Sequence, residues 1–418
     1  MHKSLVYDGR RRQEMENMEF KEGTTIKGKD LKNYMLLKVL PENMAMHGIQ
    51  YRIGLNEYMA SSAPEKRNEM GMRFCFAKDI CSFLGSGTKL ALVGIPDDEE
   101  VYVGQEWLSS HRLVIEKVFQ LGEILSRPQS LDTLILNGAD ITVRDNYAVK
   151  WAAGRGYLQI MECLHGHGAD ISAGNDYAVR LAAEKGYLEI VKYLHENGAD
   201  ITAKNNRALR FAAENGHLEV VKYLHENGAD ITADDNYAVR KAAEKGHLEV
   251  VEYLYGNGAD ITVWNHYALR CAAENGHPEV VKFLHRQGAD ITAENNQAVI
   301  TAADNGHLKV VKYLHENGAD ITASDNSAVR LASEGGHLEA VKYLYEHGAD
   351  ITAGDNDAVI MAAERGHLEV VKYLHEHGAD IMAEGGCAVI VAGECGHTDV
   401  AEYLRKKISQ IGRRKKSS

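Results

Sequence analysis

Twenty histidines, six cysteines and 60 Asp or Glu residues supply the donor atoms of a zinc site, in which imidazole nitrogen lies about 2 Å and thiolate sulfur about 2.3 Å from the ion. Their spacing points elsewhere. His217, His247, His277, His307, His337, His367 and His397 recur every 30 residues at one position, and His165, His195, His225, His285, His315 and His375 share a second. Side chains repeated on successive packed helices stand about 8–10 Å apart, too far for two of them to reach one ion. No metal site is expected from either series.

Gly85-Ser86-Gly87-Thr88-Lys89 has the composition of a phosphate-binding loop. The order is wrong, because such loops place Ser or Thr after the lysine and open a helix, whereas the strand-like run LALVGI follows here. A turn is expected. Cys75 and Cys81 could form a redox pair and His47 could act as a base, but neither has an identifiable partner in the sequence. Buried thiols and a structural histidine are the expected reading, with no catalytic residue, no metal and no cofactor.

Net charge is −13 over 418 residues, yet the final segment RKKISQIGRRKKSS carries seven Lys or Arg and no acid, leaving −20 for the rest. An acidic body argues against nucleic-acid binding along its length. The basic tail has the composition of a nuclear-import or anionic-surface patch, with a merely solvated terminus as the alternative. No apolar run approaches a membrane span, and MHKSLVYDGRRRQEMENMEF has no signal-peptide core. The cysteines show no disulfide framework, so a reducing intracellular compartment is expected.

The residues must be positioned by a repeated element. Gly-Ala-Asp recurs at 138, 168, 198, 228, 258, 288, 318, 348 and 378. In one unit Asn206 is placed to cap a first helix with its side-chain oxygen, and Leu209, Ala212 and Ala213 fall on one face of it. Gly216 ends this helix; a second begins near Leu218, buries Val221 and Leu224, and stops at Asn227-Gly228. Pro278, the only proline between residues 144 and 404, sits where a second helix should begin, which is where proline is tolerated. Pro128 lies five periods earlier, so Val118–Leu125 aligns with a first helix and Arg127–Leu136 with a second. About ten helix pairs are expected over residues 112–407.

The unit AVRLAAEKGYLEIVKYLHENGADITA resembles the ankyrin repeat, with its small-residue first helix ending in Gly-His, its EVVKxLL-like second helix and its GADVNA-like turn. The likeness covers roughly 70% of the chain and implies a mainly α ankyrin solenoid. It departs in two respects: the unit is about three residues short, and the Thr-Pro-Leu-His opening is replaced by forms such as Tyr177-Ala178-Val179-Arg180. Blunt fingers or simple turns are expected. The resemblance implies that the Gly-His histidines bridge backbone groups between units. The shortened form is similar to the ankyrin-repeat proteins of giant amoeba-infecting DNA viruses, as is HGIQYRIGLN in the upstream module.

Residues 1–23 read as a loose N-terminus and 24–111 as a small α+β module of unknown function. In the module YMLLKVL, IQYRIGL, MRFCF, LALVGI and EVYVG read as strands and AKDICSFLG as a helix. The array follows over 112–407 and the basic tail over 408–418.

What remains is recognition. The resemblance implies that first helices and fingers line a concave surface, where positions that differ between units carry the information. One set is an acidic stripe, including Glu184, Glu214, Glu244 and Glu274, which would favour a basic partner unless it is only a solvated helix face. The other is aromatic: Tyr147, Tyr177, Tyr237 and Tyr267 start early first helices, and Trp264 precedes the last of them in a finger position. The alternative is that each ring packs against its neighbouring unit. These residues are the expected contact set of a monomeric, non-enzymatic protein–protein interaction scaffold for a host protein. The host cytoplasm is the expected location, or the nucleus through the tail. Two rival readings are a substrate adaptor for a ubiquitin ligase and an array-targeted enzyme with activity in the N-terminal module.

Overall fold

The computed structural model describes residues 20–46, 49–58, 72–105, 107–121, 128–136 and 138–416. The chain divides into two compact units, Met1–Ala203 and Lys204–Ser418.

The first unit opens with a sheet built from β1 (Thr25–Lys27), β2 (Leu36–Leu40), β5 (Gly54–Glu57), β6 (Met72–Phe76), β7 (Lys89–Gly94), β8 (Glu100–Val103), β9 (Leu108–Ser110) and β10 (Arg112–Gln120). Their order is β1-β8-β9-β6-β2-β7-β10-β5, and β3 (Ala45–Met46) pairs with β4 (Ile49–Gln50) apart from it. The pairings are antiparallel. Leu36, Leu40, Met72, Phe74, Val93, Val101, Leu113 and Ile115 form the buried core. The expected helix after MRFCF is a 3-10 helix, Ala77–Ser86.

One expectation fails at the junction. Val118–Gln120, aligned above with a first helix, close strand β10, with Val118 opposite Ala91, Phe119 opposite Leu90 and Gln120 opposite Lys89. The segment Leu113–Phe119 is rich in β-branched and aromatic residues, and it alternates buried Leu113 and Ile115 with more exposed neighbours, a pattern that suits a pleated sheet. The remainder of the aligned segment, 122–127, lies outside the described residues, as does His47. The second helix does form, as Pro128–Leu136.

Helix pairs then follow the 30-residue register. The first unit holds Val143–Arg155 with Leu158–Gly166 and Ala173–Glu184 with Leu188–Glu196. The second runs from the helix Ala203–Glu214 with Leu218–Glu226 to Ala383–Glu394 with Thr398–Lys416. Among the described residues there are nine complete pairs after the lone Pro128–Leu136 helix. Pro278 opens its helix Pro278–Arg286, as its missing N–H permits.

Each pair packs through residues that the period places on one face. Leu209, Ala212, Ala213, Val221 and Leu224 are all fully buried; a buried Leu contributes about 1.5–3 kcal/mol, and the alanines let adjacent first helices approach. Gly216 takes φ +77, and the His217 N–H donates to the Ala212 carbonyl at 2.9 Å, which closes the first helix.

The entry to each first helix is less ordinary. Asp234, Asp235 and Asn236 have φ/ψ of 58/50, 53/52 and 58/37, three consecutive left-handed residues where only Gly, Asn and Asp are at ease. The shortened unit thus has a left-handed turn instead of a finger, and Asn and Asp are frequent in it. The Asn206 cap is not made. Asn206 sits at φ 56, ψ 36, not in the extended conformation of an N-cap, and its Oδ1 instead accepts the N–H of Asp230 at 2.9 Å.

Candidate interaction surface

That bond is one rung of a series. Within the first unit Asn146 Oδ1 accepts from Asp170 N–H and Asp176 Oδ1 from Asp200 N–H, each at 2.9 Å. Within the second, Asn236 serves Asp260, Asn296 serves Asp320, Asn326 serves Asp350 and Asn356 serves Asp380, at 2.7–2.9 Å. The served aspartates are engaged too: Asp260 Oδ1 accepts both the N–H and the hydroxyl of Thr262, each at 2.7 Å. The Thr262 hydroxyl first, and then its N–H, hold the Asp260 carboxyl below its ordinary pKa.

The histidine series are structural. A Cβ added at Gly216 would lie 2.5 Å from His247 Nδ1, and Gly246 stands in the same relation to His277. His247 Nε2 is 3.1 Å from the Glu214 carbonyl, and His277 Nε2 is 2.9 Å from that of Glu244. Each ring therefore covers the glycine of the preceding repeat and bridges to its backbone. Burial pushes His247 below the usual histidine pKa, as befits a neutral bridge.

In the second series His165, His225, His285, His315 and His375 pair through Nδ1 with the hydroxyls of Tyr193, Tyr253, Tyr313, Tyr343 and Tyr403, at 2.8–2.9 Å. Where tyrosine replaces the histidine, a ring-edge contact takes the place of the hydrogen bond: Tyr255 meets Phe283 at 5.8 Å and Tyr345 meets Tyr373 at 6.1 Å between centroids.

Several chemical candidates are accounted for. Thr88 Oγ1 donates to Glu42 Oε2 at 2.9 Å and Lys89 Nζ to the Glu42 carbonyl at 2.6 Å, and strand β7 follows at Lys89. The segment is therefore not a phosphate loop, nor the simple turn expected: Gly85 and Ser86 end the 3-10 helix, and Gly87 and Thr88 link it to β7. Cys75 and Cys81 are buried free thiols; burial pushes Cys75 well up and Cys81 to about 12, the reverse of a reactive thiolate.

The aromatic residues expected to make contacts fall within both units. In the first unit, Tyr147 and the 43%-exposed Tyr177 flank a cleft of about 510 Å³ that also includes Lys150, Trp151 and Arg155. It is lined by Gly154, which stands where later repeats carry an acid such as Glu184. In the second unit, Trp264 is 54% exposed and meets Tyr267 edge-on at 5.7 Å. Arg240, only 4% exposed, stacks 3.8 Å from the Trp264 centroid, with Tyr237 and Tyr267 at 5.8 and 5.7 Å. Arg240 Nε and Nη2 donate to the carbonyls of Asp235 and Asp234, each at 2.9 Å. One buried cation thus fastens the left-handed turn and carries an exposed indole.

The acidic stripe is largely committed within the chain. Lys185 pairs with Glu184 at 2.9 Å, Lys241 with Glu244 at 2.6 Å, and the Tyr237 hydroxyl donates to Glu214 at 2.9 Å. Burial raises the Glu244 carboxyl pKa, but the hydrogen bonds and charges of Lys241 and Lys245 outweigh it, leaving a net downward shift. Glu274 is exposed.

Sequence reasoning missed Arg240, although an arginine also stands at 180, 210, 270 and 330; that recurrence was a usable signal. It also missed a convergence outside both histidine series, of Asp132, Cys163 and His167.

No helix among the described residues is long and apolar enough to cross a membrane. A family model described as ankyrin repeats (3 copies) matches residues 125–205, 149–235, 181–265, 239–325, 269–355 and 328–415. No curated protein matches the chain.

Proposed function

The chain belongs to the ankyrin-repeat family, and from that premise we propose that it is a binding scaffold that docks a partner protein on the first-helix side of its array. The observation that carries this reading is the Trp264 group. An indole more than half exposed is held on a buried arginine between two tyrosines, so the large apolar ring is fixed before any partner arrives. Aromatic residues fixed in this way are the type whose truncation costs about 2 kcal/mol or more at interfaces.

The acids shape the rim rather than the centre, because Glu184, Glu214 and Glu244 already have partners in the chain. A basic partner would draw on Glu274 and on the overall negative charge, and its capture would weaken with salt. That the partner is a host protein rests on the viral resemblance alone.

The test is site-specific photocrosslinking in lysate of cells producing the protein. A photoreactive phenylalanine derivative at position 264 should yield a discrete adduct absent when the same group replaces Glu219, an exposed residue of the second helix Leu218–Glu226. Equal adducts from both positions would refute the reading.

A further inference from the structure

We propose that Asp132, Cys163 and His167 form a three-ligand site for one zinc-class divalent ion, with the fourth coordination position open to water. Asp132 Oδ1 lies 3.4 Å from Cys163 Sγ and 2.8 Å from His167 Nε2, and the three donor atoms lie within 4.8 Å of one another. Metal–ligand bonds of about 2.0–2.3 Å in a tetrahedron place neighbouring donors about 3.3–3.7 Å apart. The two separations from Asp132 lie on either side of that edge, so an ion enters by replacing two hydrogen bonds and moving the imidazole about half an ångström away from Asp132.

The scaffold suits the purpose. Cys163 lies in the last turns of the helix Leu158–Gly166 and His167 caps it, four residues apart and therefore on one face. Asp132 projects from the neighbouring helix Pro128–Leu136. The Asp132 and His167 side chains are 42% and 40% exposed, which leaves an entry path and room for the fourth ligand. Carboxylate, imidazole and sulfur together select zinc over magnesium or calcium.

The register shows that the trio is peculiar to this place. Later repeats carry Tyr193, Tyr253, Phe283 and Tyr313 at the Cys163 position, and Asn197, Asn257, Gln287 and Asn317 at the His167 position. Histidine does recur there, as His347 and His377, but these rings turn back on their own helices. Their Nδ1 atoms lie 2.7 Å from the carbonyls of Tyr343 and Tyr373. His167 instead reaches across to another helix.

Without the ion, burial, assisted by Asp132, pushes the Cys163 thiol up to about 12, and it donates to the carboxylate. Binding converts it to a thiolate, with one proton released to solvent.

The test is titration of reduced, chelator-treated full-length protein with cobalt(II) alone, followed by zinc competition. One equivalent of cobalt should produce a sulfur-to-metal charge-transfer band and tetrahedral d–d bands, both erased by one equivalent of zinc. His167→Asn, which installs the residue of other repeats, and Cys163→Ser should each weaken binding at least tenfold with the helical circular dichroism unchanged. Cys395→Ser, at an exposed thiol of the second unit, should leave it intact. Loss of the bands in Cys395→Ser, bands that persist in Cys163→Ser, or no bands in the wild type would each overturn the proposal.

Discussion

The guanidinium carbon of Arg240 lies 3.8 Å from the Trp264 ring centroid, and the same guanidinium donates to the carbonyls of Asp234 and Asp235. One side chain therefore serves both the fold and the proposed contact surface, and two substitutions separate the two roles. Trp264→Ala removes a half-exposed ring together with its stacking on Arg240, so the unfolding midpoint should move by the equivalent of about 1 kcal/mol while partner capture falls at least tenfold. Arg240→Met loses two charge-assisted bonds from a buried guanidinium to the left-handed turn and should cost about 1.5–3 kcal/mol. Chemical denaturation beside quantitative capture reads both; a large loss of stability in Trp264→Ala with capture intact would assign the indole to the fold.

A second prediction concerns the bond between repeats. Asn236 is 9% exposed and its Oδ1 takes the Asp260 N–H at 2.9 Å. Asn236→Ala leaves that donor without its partner and places alanine in a left-handed backbone, so we expect a loss of about 1–3 kcal/mol. Asn236→Asp should lose much less, because Asp176 makes the equivalent bond to Asp200. Urea midpoints of the two variants decide it: equal losses would deny the bond any special role.

What was legible in the sequence was what is local. Gly216, Pro278 and the Leu209, Ala212, Ala213 face mark helix ends and buried stripes through backbone preference and period alone, and each lies where expected. The misses are non-local. Asn206 reads as a helix cap because the residue type fits, yet its acceptor is used 24 residues downstream. Val118–Gln120 reads as helix by register, and although the β-branched and aromatic residues of Leu113–Phe119 suit a strand, the edge of β7 that pairs with it lies more than twenty residues upstream. His167 is one of seven histidines outside the two series, and helix packing, which sequence spacing does not record, brings Asp132 to it.

The Gly216–His247 contact makes a third prediction. Gly216 at φ +77 and Gly228 at φ +96 both occupy backbone that disfavours alanine, but a Cβ at Gly216 would meet His247 at 2.5 Å whereas one at Gly228 would meet nothing within 4 Å. Gly228→Ala should cost about 1–2 kcal/mol for the backbone alone, and Gly216→Ala distinctly more. Adding His247→Ala should recover part of the excess at Gly216 and none at Gly228, a coupling that a double-mutant cycle measures directly. Independent, additive effects would show that the ring does not rest on the glycine.

The last prediction is a pH dependence in the N-terminal sheet. Lys38 is 4% exposed, donates to the Arg73 carbonyl and lies 4.7 Å from the Tyr51 centroid. Burial is the main cause that pushes it down, with Arg73 adding to that effect and Cys75 opposing it, and its folded pKa falls from 10.5 to about 8. Below pH 8 the amine is charged in both states and the burial penalty is fully present. Between about 8 and 10.5 the unfolded chain still holds the proton that the folded chain has released, so stability contributed by this group rises with pH. The rise amounts to about 3 kcal/mol at most. Tyr51 is itself pushed up to about 12 by burial and stays neutral through that window, so it does not mask the effect. Lys38→Met keeps the bulk and removes the proton. The difference in urea midpoint between wild type and Lys38→Met, followed from pH 7 to 10, should therefore move in favour of the wild type as pH rises; a flat difference would mean that Lys38 titrates in the folded chain as it does in water.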